Sequence, residues 1–300
     1  MSFKLPARWS APLLSASRRV QFRGKARMLA ALGLSLRNRD LVPPDVDRVR
    51  CRGGIEISTH DPRDVMFREL WLHGYYQDDV LVALTHLLAP GQVFWDIGAN
   101  FGLMSLWVER TFGGAVRTVA FEPAPTVAAT LRRNVELNHA HGITVEQLCL
   151  SDRPGQVKFY TSADHSWNAT LISSFASQYG EDIAIDVTAT TMDAYAAEHG
   201  PPSVIKLDVE GAEHLVLMGG QRVLREHDVA AVVEYNTVAL AAVGLAPADY
   251  LGLFTKLGYR PYQMRRPLWG FYRWDSLYEV RDPATLPKLC NLIMLKRPPR

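Results

Sequence analysis

The chain has 300 residues, enough for one large domain or one domain with extensions, and it can bury a sizeable core. Hydrophobic residues make up 48% and charged residues 21%, an ordinary globular balance, and no run of about 18 apolar residues exists to span a bilayer. Cys51, Cys149 and Cys290 are too few and too scattered for a disulfide framework or a zinc site, which points to reduced thiols and a cytoplasmic setting.

The net charge of +2 hides an asymmetry. Residues 1–50 carry eleven Lys or Arg against three Asp, so the remainder is acidic. A basic arm of this kind suits peripheral contact with a membrane surface or an anionic polymer; the plainer reading is a solvated terminus. The expected layout is a basic N-terminal extension over 1–48, a strand and helix lead-in over 49–90, and a catalytic domain over 91–300. Within the extension, residues 13–36 mix arginines with Leu29, Leu32 and Leu36 at helical spacing, and Pro43-Pro44 breaks the chain. Residues 49–57 alternate like a strand or hairpin around Gly53-Gly54; 65–72 and 80–88 read as helices, the second closed by Pro90-Gly91.

The core begins at Val93-Phe94-Trp95-Asp96-Ile97-Gly98-Ala99-Asn100-Phe101-Gly102, a short apolar run that ends in an acid, turns on two glycines and enters a helix over 103–111. Such a turn brings backbone close to a ligand and aims free N–H groups at it. The spacing departs from G-x-G-x-x-G, which weakens a nicotinamide reading. Strands follow at 117–121, 143–148, 187–190, 204–207 and 229–234. They alternate with helices through Val127, Leu131 and Val135, after Thr191, over 212–225 and over 247–257. Residues 157–160 suggest a short antiparallel strand and 161–182 a polar insertion. Two late strands, 259–264 and 292–295, flank an aromatic loop. This alternation predicts an α/β fold: a Rossmann-like, doubly wound sheet of seven mostly parallel strands with the last antiparallel.

Ligands in such sheets sit beyond the strands' carboxyl ends. Those ends deliver Asp96, Glu122, Ser151-Asp152, Asp208 and Glu234. So many acids suit a ligand rich in hydroxyls, amines and positive charge. Glu122 is spaced to accept two ribose hydroxyls, unless it only complements the dipole of the Pro-started helix after it. Asp152 suits an adenine amine or an Asx turn before Pro154-Gly155.

These residues resemble the FkbM-type class I S-adenosylmethionine-dependent methyltransferases. The likeness rests on 96–102, Phe121-Glu122-Pro123, Leu150-Ser151-Asp152, Thr191-Met192-Asp193 and, most specifically, Ile205-Lys206-Leu207-Asp208-Val209-Glu210-Gly211-Ala212-Glu213. It covers about 93–236. The resemblance implies a class I methyltransferase fold, S-adenosyl-L-methionine as cofactor, and methyl transfer to a hydroxyl of a sugar, glycan or secondary metabolite. Asp96, Gly98, Asn100, Gly102, Glu122, Ser151 and Asp152 are the expected cofactor-binding residues. Asn168 falls where relatives carry an Asn, although no glycine follows it.

Lys206, Asp208 and Glu210 alternate along an extended segment, which puts their side chains on one side if that register continues. Asp208 or Glu210 is then a candidate general base and Lys206 a partner for the developing alkoxide; capping of the next helix is the plainer role for Glu210. Glu234, Asn236 and Asn168 are candidate acceptor-binding residues. With Asp208 the first two would also form a hard oxygen set for Mg²⁺, but the expectation is a site without metal. His214 reads as a helix-face contact, and His60 and His73 receive no role. Trp269, Phe271, Tyr272 and Trp274 beside Arg265, Arg266 and Arg273 suit sugar stacking and anion binding, or a loop that only covers the sheet edge. No nucleic-acid partner is expected. The alternatives are an NAD-dependent reductase, for which no Tyr-x-x-x-Lys or His donor is evident, and a catalytically silent adenosyl-binding module.

Overall fold

Two strands with almost no polar residues, β3 (Val93–Ile97) and β9 (Val204–Leu207), lie side by side at the centre of the molecule and are buried along nearly their whole length. Continuous apolar runs of this kind belong to parallel strands covered on both faces. The structure, a computed structural model, describes Lys25, Met28, Leu29, Leu34 and residues 41–43, 45–59, 61–161, 169–177 and 183–299. Asn168, His60, most of the basic extension and most of the 161–182 insertion lie outside these residues.

A hairpin opens the described fold: β1 (Arg48–Arg50) pairs antiparallel with β2 (Glu56–Ser58). Helix α1 (Val65–His73) starts where the Asp64 carboxylate accepts from the amides of Met66 and Phe67, and α2 (Asp78–Leu87) starts at Gln77, whose φ is 46°. After β3 come α3 (Leu103–Phe112), β4 (Arg117–Phe121), the Pro-started α4 (Pro125–Leu137) and β5 (Ile143–Glu146). The chain then leaves this sheet. Strands β6 (Cys149–Leu150), β7 (Gly155–Thr161) and β8 (Ile183–Thr190) form a separate three-stranded sheet in the order β6-β8-β7, with α5 (Ser173–Ala176) between the last two. The strand expected over 143–148 therefore ends at Glu146, and a separate short strand at 149–150 joins the second sheet.

Helix α6 (Met192–His199), capped by Thr191, returns the chain to β9. The helix expected over 212–225 is two helices, α7 (Glu213–Met218) and α8 (Gln221–Glu226). They part at Gly219, where backbone approaches backbone so closely that a Cβ would stand 2.0 Å from the Ser151 carbonyl oxygen. The remaining elements are β10 (Ala230–Asn236), α9 (Thr237–Ala242), α10 (Pro247–Thr255), β11 (Arg260–Met264), β12 (Leu277–Glu279) and β13 (Leu289–Leu295).

The main sheet runs β12-β11-β13-β10-β9-β3-β4-β5. Strands β10, β9, β3, β4 and β5 are mutually parallel, and β13 is antiparallel to both β10 and β11. This is the doubly wound fold with an antiparallel last strand. Its eighth strand, β12, adds an edge within the expected aromatic loop, where Leu277 and Tyr278 find backbone partners on β11.

Alternation along each strand sends side chains to two cores. Phe94, Ala120, Val204 and Val232 join Phe67, Leu70, Leu84 and Leu131 from α1, α2 and α4 on one face. Trp95, Val119, Ile205 and Ala231 join Val216, Leu224, Tyr250 and Phe254 on the other. No helix among the described residues is long and apolar enough to cross a membrane.

Candidate active site

Strand order reverses between β3 and β9: the chain runs outward from β3 to β5, then returns to the other side of β3. A crevice opens at such a switch point beyond the strand ends. Here it holds a cavity walled by Gly98, Ala99, Asn100, Phe101 and Leu103 after β3, Glu122 and Pro123 after β4, Lys206 of β9 with Asp208, Val209 and Glu210 after it, and Tyr76 and Gln77 from the lead-in.

Gly98 sets the cavity floor. Its φ is +80°, and a Cβ there would stand 1.9 Å from the Asp208 carbonyl oxygen, so the two loops meet in a way only glycine allows. Asn100 also has positive φ, 50°, and its amide donates to Glu122 Oε2 at 3.0 Å. Glu122 Oε1 accepts from the Ala124 amide at 3.0 Å. These two bonds fix the carboxylate at the edge of the cavity, and burial pushes it up to about 7.

The opposite wall is charged. Lys206 Nζ donates to the Gly98 carbonyl at 2.8 Å and sits 3.4 Å from Asp208 Oδ2 and 3.8 Å from Asp96 Oδ1. Burial works against its charge, but Asp208 and Asp96 outweigh burial and hold the ammonium above its ordinary range. Gln77 Nε2 donates to Asp208 Oδ2 at 3.3 Å from the other side. The extended register expected through Glu210 does not hold: β9 ends at Leu207 and Glu210 has φ 53°. Lys206, Asp208 and Glu210 nonetheless line one cavity, because the Glu213 carboxylate accepts from the amides of Val209 (2.9 Å) and Gly211 (3.3 Å) and folds the loop back. Burial pushes Glu213 up to about 7.

Four residues expected at the cofactor do not line this cavity. Asp96 is wholly buried behind the cavity, where its Oδ2 accepts from Ser105 N (3.1 Å) and Ser105 Oγ (2.6 Å); it reaches the site only through Lys206. Gly102 faces Leu131 of α4, too close for a Cβ. Ser151 and Asp152 do not line the cavity, and the Ser151 hydroxyl donates to Asp152 Oδ1 at 3.1 Å. Their strand, β6, has left the main sheet, and the residues before them, Leu148, Cys149 and Leu150, form the wall instead.

On the acceptor side, Asn236 is a capping residue: its Oδ1 accepts from Val238 and Ala239 at the start of α9. Glu234 lines a neighbouring cavity, which also includes Tyr76 and Gln77. Burial first, then Glu210 and Asp208, push its carboxyl well above the usual range. Carboxylate oxygens of Asp208, Glu210 and Glu234 lie within 4.8 Å of one another, a hard oxygen set a divalent cation would take. Glu210 thus stands where Asn236 was expected in the alternative Mg²⁺ trio. His214 contacts the Gly211 carbonyl at 3.2 Å, a bond within its own helix turn.

Tyr76 and Gln77 went unnoticed in the sequence. Their one signal is an amide and two tyrosines between Gly74 and a helix that begins Asp78-Asp79, a helix start whose first residue could not be anticipated to take φ 46°.

Sheet order and a switch-point cavity with this acid and lysine set define the class I methyltransferase fold. The Methyltransferase FkbM domain model matches residues 96–261, more than half of the chain, which therefore belongs to that family. The chain is 30% identical over 152 residues to Methyltransferase sdnD of Sordaria araneosa, covering 41% of this chain and 58% of the relative. It is 30% identical over 159 residues to the 31-O-demethyl-FK506 methyltransferase FkbM of Streptomyces tacrolimicus, covering 44% and 60%. The chain thus spans less than two thirds of either relative's length. Among solved structures, Methyltransferase FkbM from Methylobacillus flagellatus KT is 19% identical, covers 63% of this chain and 44% of that one, and superposes with a TM-score of 0.40.

Proposed function

We propose that this protein is an S-adenosylmethionine-dependent O-methyltransferase acting on a hydroxyl of a sugar, glycan or other polyhydroxylated small molecule, in a cytoplasmic setting. The observation that carries the reading is the single cavity that holds Glu122 at one end and Lys206, Asp208 and Glu210 at the other. The printed name of the Streptomyces relative, a 31-O-demethyl-FK506 methyltransferase, supports an oxygen acceptor.

The residues present fit the cofactor. Glu122 keeps lone pairs for a ribose diol after its two backbone bonds. Phe121, Leu148, Leu150, Phe159 and Leu171 give an apolar wall for a purine, and the surrounding carboxylates favour a cation over its neutral thioether product. When bound, S-adenosylmethionine supplies a methyl group activated by a positive sulfur.

The chain's own residues then have two tasks. The first is alignment, which in well-oriented cases corresponds to effective molarities of roughly 10⁵–10⁸ M. The positive-φ turns at Gln77, Asn100 and Glu210 surround the cavity and hold its walls in fixed positions. The second is removal of the hydroxyl proton. Asp208 suits the role of base: Lys206 and Gln77 orient its Oδ2, and it lies on the cavity surface. Glu210 is the neighbouring alternative. Burial, then Glu210 and Asp208, raise the Glu234 carboxyl and so favour its protonated form, which can donate a hydrogen bond to an acceptor oxygen. Asp96 stabilises the Lys206 charge from behind.

Calorimetric titration with S-adenosylmethionine and with NADH tests the reading, followed by assay of S-adenosylhomocysteine with hydroxylated acceptors. Binding of NADH in place of S-adenosylmethionine would reject it for a reductase. Cofactor binding with no product from any extract would favour a silent binder.

A further inference from the structure

A second cavity, of about 430 Å³, abuts the first and shares Tyr76 and Gln77 with it. Neither the cofactor fit nor the proton-transfer argument uses it, apart from Glu234 in its wall. Three features give it the form of a built site. It reaches the proposed base, because Gln77 bonds Asp208 across the shared wall and Glu234 has an oxygen within 4.8 Å of both Asp208 and Glu210.

It is also polarised. Glu234 and Asp79 mark its inner end; Asp79 accepts from Asn291 Nδ2 at 3.0 Å, and Glu234 Oε2 is buried with no hydrogen-bond partner. Arg265 and Arg266 line it from exposed positions at the other end. The Arg265 guanidinium lies over the Tyr278 ring at 5.5 Å, and Arg266 forms no ion pair within 4.0 Å among the described residues.

The arginines are held on a fixed frame. They directly follow β11, and the loop beyond them is fastened to the lead-in at three points. Arg52 stacks on Phe271 at 3.9 Å, the Tyr272 amide donates to Asp78 Oδ2 at 3.2 Å, and Trp274 stacks on His86 at 5.1 Å with planes 7° apart. Exposed guanidinium groups at the mouth of a cavity, one of them over an aromatic ring and Arg266 with Asp78 acting on it only from beyond ion-pair distance, are arranged for a planar or tetrahedral anion.

We propose that this second cavity receives the methyl acceptor and that Arg265 and Arg266 select acceptors carrying an anionic group, a phosphate, sulfate or carboxylate, on a polyhydroxylated body. This rests on the methyltransferase reading above. The anion is held at the exposed end by the arginines, and the carboxyl groups at the inner end offer it no counter-charge, so the molecule enters hydroxyl first toward Asp208. The Tyr272 and Tyr278 rings offer flat apolar surface to a sugar face between the two ends.

The test uses the full chain saturated with S-adenosylhomocysteine and calorimetric titration with glucose, glucose 6-phosphate, glucose 6-sulfate and glucuronic acid. At least one anionic member binds on the order of tenfold or more tighter than glucose, the effect of one charge-assisted bond, and the three arms tell the anions apart. The Arg265→Gln/Arg266→Gln double variant abolishes that preference and leaves S-adenosylmethionine affinity unchanged. Equal binding of all four sugars, binding of none, or a preference that survives in the double variant overturns the proposal. So does a double variant that loses cofactor affinity, since the arginines would then serve the first cavity. Failure of the wild type to bind S-adenosylmethionine at all instead removes the methyltransferase reading beneath it.

Discussion

Replacement of Lys206 by Met removes one cation from the middle of the molecule and leaves its shape nearly filled. Three groups lose a partner: the Gly98 carbonyl at 2.8 Å, Asp208 at 3.4 Å and Asp96 at 3.8 Å. Asp208 has Gln77 and the cavity to turn to, but Asp96 is wholly buried and keeps only Ser105. Breaking a buried ion pair from one side costs roughly 3–5 kcal/mol. Protonation sets a ceiling: neutralising a carboxyl whose unfolded pKa is ~3.9 costs about 4 kcal/mol at pH 7 and about 2 kcal/mol at pH 5.5. Asp96 is already raised by burial in the wild type, and losing Lys206 raises it further. A carboxyl with folded pKa above its unfolded value contributes stability that is present at low pH and is lost as pH rises toward the folded pKa. Lys206→Met should therefore lose about 3–4 kcal/mol near neutral pH and about 2 kcal/mol near pH 5.5, read from urea unfolding followed by circular dichroism. A loss under about 1 kcal/mol, equal at both pH values, would refute the claim that Lys206 compensates a sequestered Asp96.

Three other outcomes are expected. Glu122→Ala should weaken S-adenosylmethionine binding by roughly 1.5–3 kcal/mol in calorimetry, and an unchanged affinity would separate Glu122 from the ribose. Asp208→Asn should cut turnover by about 10²–10⁴ while the cofactor still binds; full activity would exclude it as the base. Glu213 is raised to about 7 against an unfolded value of ~4.3, so its contribution is present below that lower value and is lost as pH rises through about 7. Glu213→Gln keeps the oxygen that accepts from Val209 and should flatten the fall in unfolding free energy over that window by about 3 kcal/mol; an unaltered profile would show that the carboxyl is not raised.

The sequence was legible wherever one physical rule acted alone. Apolar runs between turn residues located β3, β4, β9 and β10 to within a residue or two, because strands buried on both faces have no other way to read. Pro247 marked a helix start because proline at the first helical position gives up no hydrogen bond, whereas the helix expected directly after Glu122-Pro123 begins at Pro125. Reading failed where a distant partner decided. An acid at a strand end was taken to face the ligand, and Asp96 faces Ser105 and Lys206 instead, since strand alternation turns Asp96 and Ile97 to opposite sides. Ser151-Asp152 carried the expected motif, but β6 pairs with β8 and not with β5, a choice set by residues forty positions away. Gln77 enters the site through a helix start with φ 46°, which no local pattern announces.

Tyr76 and Gln77 are the only side chains common to both cavities among the described residues. If the second cavity holds the acceptor as proposed, each ligand has its own compartment and the two meet only across this shared wall.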